Sequence, residues 1–309
     1  MASTRLVSKQ DLSVNFVADT ADGIVEARFV RRRDDYFIAY VSSQTGCNKG
    51  CRFCHLTQSG QTRGVDLDVA SIVAQAEQVL GYYDDQVGEG RQAPAAKVHF
   101  NFMARGEPFA NRHLRSEGDR VCAELARRSI AHGLSSQVKI STIFPREMAD
   151  AALVDIFVEA RPDIYYSLYS VNPSFRRRWL PRALPTDIAL QALKEWQLAT
   201  TLTPMLHWAL IAGENDSPAD VDAICQAVTD AGLRCNINLV RYNPFSERHG
   251  SEPAIETIDR VAAQLLDGLP GTTVRIVTRV GMDVAASCGM FVDGGSGQPV
   301  VVSGRKAKS

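Results

Sequence analysis

From Tyr36 onward the chain alternates short β-branched or aromatic runs with longer stretches of helical period, a repetition that confines it to βα units around a parallel sheet. Strand candidates span 36–42, 97–103, 138–142, 164–169, 205–211, 235–240 and 273–278. After the first of them, Val69, Ile72, Val73, Ala76, Leu80 and Tyr83 recur at helical offsets and form one apolar stripe. Further helices are expected at about 149–160, 187–199, 218–231 and 257–269, with Gly232 as a stop signal. The pattern predicts an α/β fold of six βα units, a barrel or a doubly wound sheet. Ahead of it, 12–17 and 23–30 read as strands joined by an Asp/Gly turn. The expected division is therefore a small N-terminal β extension (1–35), a barrel (36–279), and a C-terminal loop with a flexible basic tail (280–309).

With 45% hydrophobic and 22% charged residues, the 309-residue chain has the composition of an ordinary globular protein. The first nine residues carry no apolar core of signal-peptide length, and no stretch reaches the roughly 18 apolar residues of a membrane span. A cytoplasmic protein without membrane contact is expected. Seven cysteines, three of them clustered, suit a metal cofactor in a reducing compartment better than a disulfide framework. The net charge of −1 means that any nucleic-acid role must rest on local patches.

Cys47, Cys51 and Cys54 form a C-x3-C-x2-C run directly after the first strand candidate of the alternation. Three thiolates can hold three irons of a [4Fe-4S] cube and leave the fourth iron open to a small chelating molecule. Two blander readings compete. Cys51-x-x-Cys54-His55 spells a c-type haem attachment site, and three cysteines with His55 could make a zinc site. Haem attachment requires an exported chain, and a zinc knot does not explain the placement of Cys47.

The run resembles the radical S-adenosylmethionine superfamily, whose partial (βα)6 barrel the βα alternation matches. The resemblance implies that the cofactor's amine and carboxylate chelate the open iron and that one electron cleaves its sulfonium to a carbon radical. Phe53, just before the third cysteine, holds the aromatic position that the superfamily packs against the cofactor. Several stretches are similar, more narrowly, to the RlmN/Cfr family of radical methyltransferases. Val41 to Gly46 resembles the family's lead-in to the cluster. Gly106-Glu107-Pro108 with Asn111 resembles its cofactor-amine motif, and Ser141-Thr142 the pair ending the third strand. The run Ser167-Leu168-Tyr169-Ser170-Val171-Asn172 resembles the loop after the fourth strand, and Asn243-Pro244-Phe245 the loop that reaches the cofactor ribose. By this resemblance Gly106, Glu107, Ser141, Ser167, Asn172 and Asn243 join Phe53 as cofactor contacts.

Cys288 stands where the family carries the cysteine that first accepts a methyl group. The family methylates adenine at C2 or C8 in RNA. Its S-methyl cysteine loses hydrogen to the radical, adds to the ring, and is released when a second cysteine forms a disulfide with it. Here the sequence departs, because the position of that second cysteine is Tyr40. Cys122, Cys225 and Cys235, the remaining thiols, read as packed structural residues. Only 46 residues precede Cys47, where the relatives carry an RNA-gripping accessory domain, so tRNA or a small stem-loop is favoured over ribosomal RNA. The nucleic-acid candidates are Arg31-Arg32-Arg33, the basic tail, and Arg176, Arg177 and Arg178 with Trp179, which pair cations with a stacking ring, a solvated charge run being the alternative for these last. Other partners implied are a one-electron reductant such as flavodoxin or ferredoxin. The competing functions are a radical enzyme of divergent chemistry on a small molecule or peptide, and a non-turnover iron-sulfur or RNA-binding relative. His99, His113 and His207 are read as core or surface residues without roles.

Overall fold

The computed structural model describes residues 3–293. The basic tail and all but Asp293 of the Gly-rich turn at 293–297 lie outside the described residues. Ten strands follow one another in one sheet: β1 (Ser3–Val7), β2 (Val14–Thr20), β3 (Gly23–Val30), β4 (Tyr36–Tyr40), β5 (Lys97–Phe102), β6 (Ser135–Thr142), β7 (Asp163–Tyr166), β8 (Met205–Ala209), β9 (Asn236–Val240) and β10 (Val274–Val277). The first four pair antiparallel, and β4 to β10 pair parallel. The N-terminal extension is thus continuous with the barrel sheet, with β1 as a strand additional to those expected.

The helices are α1 (His55–Gln58), α2 (Val69–Gly88), α3 (Arg112–Ser116), α4 (Gly118–Ala131), α5 (Leu153–Ile156), α6 (Pro173–Trp179), α7 (Thr186–Thr200), α8 (Pro218–Asp230) and α9 (Ile255–Gly268). Their starts follow from local chemistry. Asp68 caps α2 by accepting the N–H of Ser71, and Ser217 with Asp220 forms a reciprocal capping box before Pro218 of α8. The α2 stripe is buried against one face of the sheet, where Tyr83 stacks on Phe37 at 4.4 Å. Strand alternation then turns Tyr36, Ile38 and Tyr40 to the opposite face. They line a single cavity with residues of β5 through β10, so the sheet curls around a lumen. β1 and β10 remain as its two edges, which leaves the barrel partial.

One helix expectation is corrected. Of 149–160 only Leu153–Ile156 is α-helical, and beyond it the Asp119 carboxylate on α4 accepts the N–H groups of Val158, Glu159 and Ala160 and holds that backbone out of a helix. Among the described residues, no helix is long and apolar enough to cross a membrane.

Candidate cofactor pocket and the Cys288 loop

At the C-terminal ends of the parallel strands lies a pocket with about 900 Å³ of free space, its open mouth included. Cys47, Cys51, Cys54, Phe53, Gly106, Glu107, Ser141, Ser167, Asn243 and Cys288 all line it. The loop bearing the three cysteines is held from several sides. The Cys47 N–H donates to Gln61, and Arg52 donates from its backbone to Trp179 and lays its guanidinium over that ring. The buried Lys49 ammonium pairs with Glu147. All seven cysteines are free.

The donor set fits an iron-sulfur cluster. Burial, then mutual repulsion, pushes Cys47 up to about 12 and Cys51 well above a normal thiol, and burial raises Cys54. Three thiolates here require a positive partner. Backbone N–H groups of Lys49 to Cys47, and of Leu56 and Thr57 to Cys54, are already aimed at sulfur, as cluster thiolates need. Among the described residues no three His, Cys, Asp or Glu side chains converge on a single ion. That spread argues against the zinc reading, whereas a cube takes each thiolate on a different iron.

Glu107 is fully enclosed. Its carboxylate accepts the Thr142 hydroxyl at 2.6 Å and the N–H groups of Phe109 and Ile143, while burial raises its pKa to about 7. A carboxylate that keeps these donors and the pull of Lys49 and still rises so far has room for a further cation, and the ammonium of an amino-acid cofactor would supply one. Gly106 has φ +97°, and a Cβ there would lie 2.5 Å from Ser43 Oγ and 2.7 Å from Gln44 N. Only glycine lets this turn approach the lead-in to the cysteines so closely.

Cys288 is open to the pocket, and its loop is clamped over the cysteine loop. Asn243 Nδ2 donates to Cys288 O at 2.9 Å and to Ser287 Oγ at 3.0 Å. The His55 N–H donates to Gly289 O at 3.1 Å. From the N-terminal extension, Arg28 Nη2 donates to Met290 O at 2.7 Å and Asn15 Nδ2 to Val284 O at 3.0 Å. Arg28 and Arg105 share Glu26 in a buried ion network, and both lie over the ring of Phe291.

Several expected sites stand elsewhere. Asn172 does not line the pocket; it is exposed and caps α6, accepting from Ser174 and Phe175. Tyr169 takes the place that loop offers the pocket, in left-handed backbone (φ 57°) with its ring stacked 4.1 Å from that of Phe53. Trp179 is not a platform for bases, since it is buried and stacked on Phe175. Arg176 is buried too, donating to the carbonyls of Leu168, Ser170 and Leu184, and Arg178 pairs with Glu214, which leaves Arg177 exposed. Tyr40 lines the lumen cavity that adjoins the pocket at Cys288. The sequence reading missed Arg105, Gln44 and Tyr169; Arg105 next to Gly106 was a signal, but a positive φ at tyrosine leaves none.

No protein-family model matches the chain. Curated relatives include a probable dual-specificity RNA methyltransferase RlmN from Synechococcus sp. (strain JA-2-3B'a(2-13)), 29% identical over 290 residues and covering 91% of this chain and 75% of the relative. Another is the dual-specificity RNA methyltransferase RlmN of Syntrophus aciditrophicus (strain SB), 27% identical over 89% of this chain and 77% of its own. Among solved structures, a radical SAM methyltransferase from Sphaerobacter thermophilus superposes with TM-score 0.73 at 23% identity, covering 93% of this chain and 80% of that one. HydG, a maturase of the [FeFe]-hydrogenase, shares the fold at TM-score 0.56 and 12% identity over 79% of this chain and 52% of its own. The chain is thus similar over about nine-tenths of its length to curated RlmN RNA methyltransferases, and it has the fold of a radical SAM methyltransferase.

Proposed function

We propose that this protein methylates an adenine ring carbon, C2 or C8, in RNA, with Cys288 as the carrier of the methyl group and tRNA or a small stem-loop as substrate. The observation that carries the reading is the clamp that sets the Cys288 loop on the cysteine loop, through the His55 to Gly289 hydrogen bond. Cys47, Cys51 and Cys54 would hold a [4Fe-4S] cluster, and Glu107 the ammonium of S-adenosylmethionine, with Gly106, Ser141, Ser167, Phe53 and Asn243 around it. Bound together, these groups supply one-electron cleavage of a sulfonium to a carbon radical able to take hydrogen from a methyl group. A flavodoxin or ferredoxin would supply the electron, and an oxygen-sensitive cluster acting on RNA would suit the cytoplasm.

Cys288 acts first as nucleophile. Its thiol would lose its proton to solvent at the open pocket, and a bound sulfonium donor would supply the methyl group, with S-adenosylhomocysteine as the leaving group. Burial pushes the Cys288 thiol up to about 11, and Arg28 and Arg32, within electrostatic reach, offset that rise only in part. Asn243 keeps the loop from swinging away.

A second reading has its own observation. Besides the three clustered cysteines, Cys288 is the one thiol lining either cavity among the described residues, and Tyr40 cannot form a disulfide. That favours a different release step, or a divergent or non-turnover enzyme. Anaerobic reconstitution, incubation with S-adenosylmethionine and peptide mass spectrometry should find one methyl on Cys288. An unmodified Cys288 rejects the first reading, and RNA left covalently attached identifies a stalled release.

A further inference from the structure

The lumen cavity meets the cofactor pocket at Met103, His207, Arg241 and Cys288, and holds about 1390 Å³ of free space with its mouth included. Its walls carry seven arginine or lysine side chains and no carboxylate. In a chain of net charge −1 this is a local concentration of positive charge. Neighbouring groups answer most of it. Glu26 pairs with Arg28, Glu252 with Arg241 and Arg279, Asp35 with Arg33, and Lys139 donates to the Tyr165 hydroxyl.

Two cations are left over. Arg32, between β3 and β4, and Arg275, on β10, make no side-chain hydrogen bond or ion pair among the described residues, and both are exposed. They come from opposite ends of the parallel arc, yet they line one cavity. The Cys288 thiol feels the charge of Arg32. The same wall also carries the buried Asn101 Oδ1, which has no hydrogen-bond partner. The cavity therefore offers exposed, unpaired guanidinium groups and an unsatisfied polar wall on the same lining as the reactive sulfur.

We propose that the open side of the lumen binds the phosphodiester backbone of a single-stranded RNA segment through Arg32 and Arg275, which delivers the target base along the lumen to Cys288. This rests on the RNA reading above and adds where the strand enters. Guanidinium groups bind phosphate bidentately, and each phosphate neutralised on a single strand contributes about 0.7 to the salt slope.

The test uses cluster-loaded protein and a fluorescein-labelled RNA stem-loop, read by anisotropy across a salt series. The Arg32→Gln/Arg275→Gln variant should bind at least roughly tenfold more weakly at low salt, with the slope of log K against log salt reduced by about 1.4. The Arg32→Lys/Arg275→Lys variant should recover most of that slope. Arg127→Gln, which breaks an exposed pair with Glu124 on α4, is the control and should bind as wild type. Wild-type affinity and slope in the double glutamine variant, or an equal loss in the Arg127 control, overturns the proposal. A wild-type Cys288 that takes no methyl would sink the proposed activity instead, and leaves the binding measurement readable.

Discussion

The backbone N–H of His55, one residue beyond the last clustered cysteine, donates at 3.1 Å to the carbonyl of Gly289, one residue beyond Cys288. Two segments separated by more than two hundred positions are thereby in register, cysteine against cysteine. Under the proposed function, a thiol that receives a group from a cofactor on the cysteine loop would sit where this bond puts it.

Asn243 fixes the other side of that thiol. Asn243→Ala removes the donors to Cys288 O and Ser287 Oγ, which should cost about 1–3 kcal/mol of stability and slow methylation of Cys288 by at least roughly tenfold. Urea unfolding and timed peptide mass spectrometry measure both. A methylation rate within twofold of wild type would show that the clamp is not needed.

The N-terminal extension anchors the C-terminal segment through Glu26, which is fully buried and binds Arg28 and Arg105 while accepting from Asn15 and Val292. Glu26→Ala strands two buried guanidinium groups and should destabilise by roughly 3–5 kcal/mol. Limited proteolysis should then cut between Gly281 and Val292 first. Stability within 1 kcal/mol of wild type contradicts this account.

Gly106→Ala should lose about 2–4 kcal/mol, since it combines a left-handed φ with a Cβ only 2.5 Å from Ser43 Oγ. Cluster content after reconstitution, read from visible absorbance per protein, should fall with it. Full stability and full cluster loading would mean that the turn relaxes freely.

His207 has its pKa lowered to about 4 by burial. The unfolded chain takes up that proton near pH 6.5 and the folded chain only near 4, so the unfolded state binds more protons between them and stability falls as pH falls through that window. Glu107, raised to about 7 by burial, acts oppositely by taking a proton earlier when folded. Comparison with His207→Gln separates the two: from pH 7 to 4.5 the wild type should lose about 2 kcal/mol more than the variant. Parallel stability curves for the two proteins would refute the assignment.

Local patterns carried the chain a long way. Strand and helix alternation from Tyr36 onward, the α2 stripe and the spacing of Cys47, Cys51 and Cys54 are properties of neighbouring residues, and periodicity reports such properties directly. The same logic failed at 149–160. There the apolar spacing is helical, but Asp119, a residue some forty positions away, takes the N–H groups that a helix would have used. Arg176 to Trp179 failed for a related reason. A basic run with an aromatic is legible as composition, whereas burial is settled by what folds over it, here Arg52 of the cysteine loop on Trp179 and the carbonyls of Leu168 and Leu184 on Arg176.

Neighbouring residues alone therefore settle the parallel architecture and the thiol triad, because both are written in spacings of a few positions. Where Cys288 sits, which asparagine faces the pocket and which arginines stay unpaired are settled by folding, because each depends on contacts between segments far apart in the chain. Asn243 rather than Asn172 reaches the pocket, and Arg32 and Arg275 meet across one lumen, since the curl of the sheet brings its distant strands around a shared space.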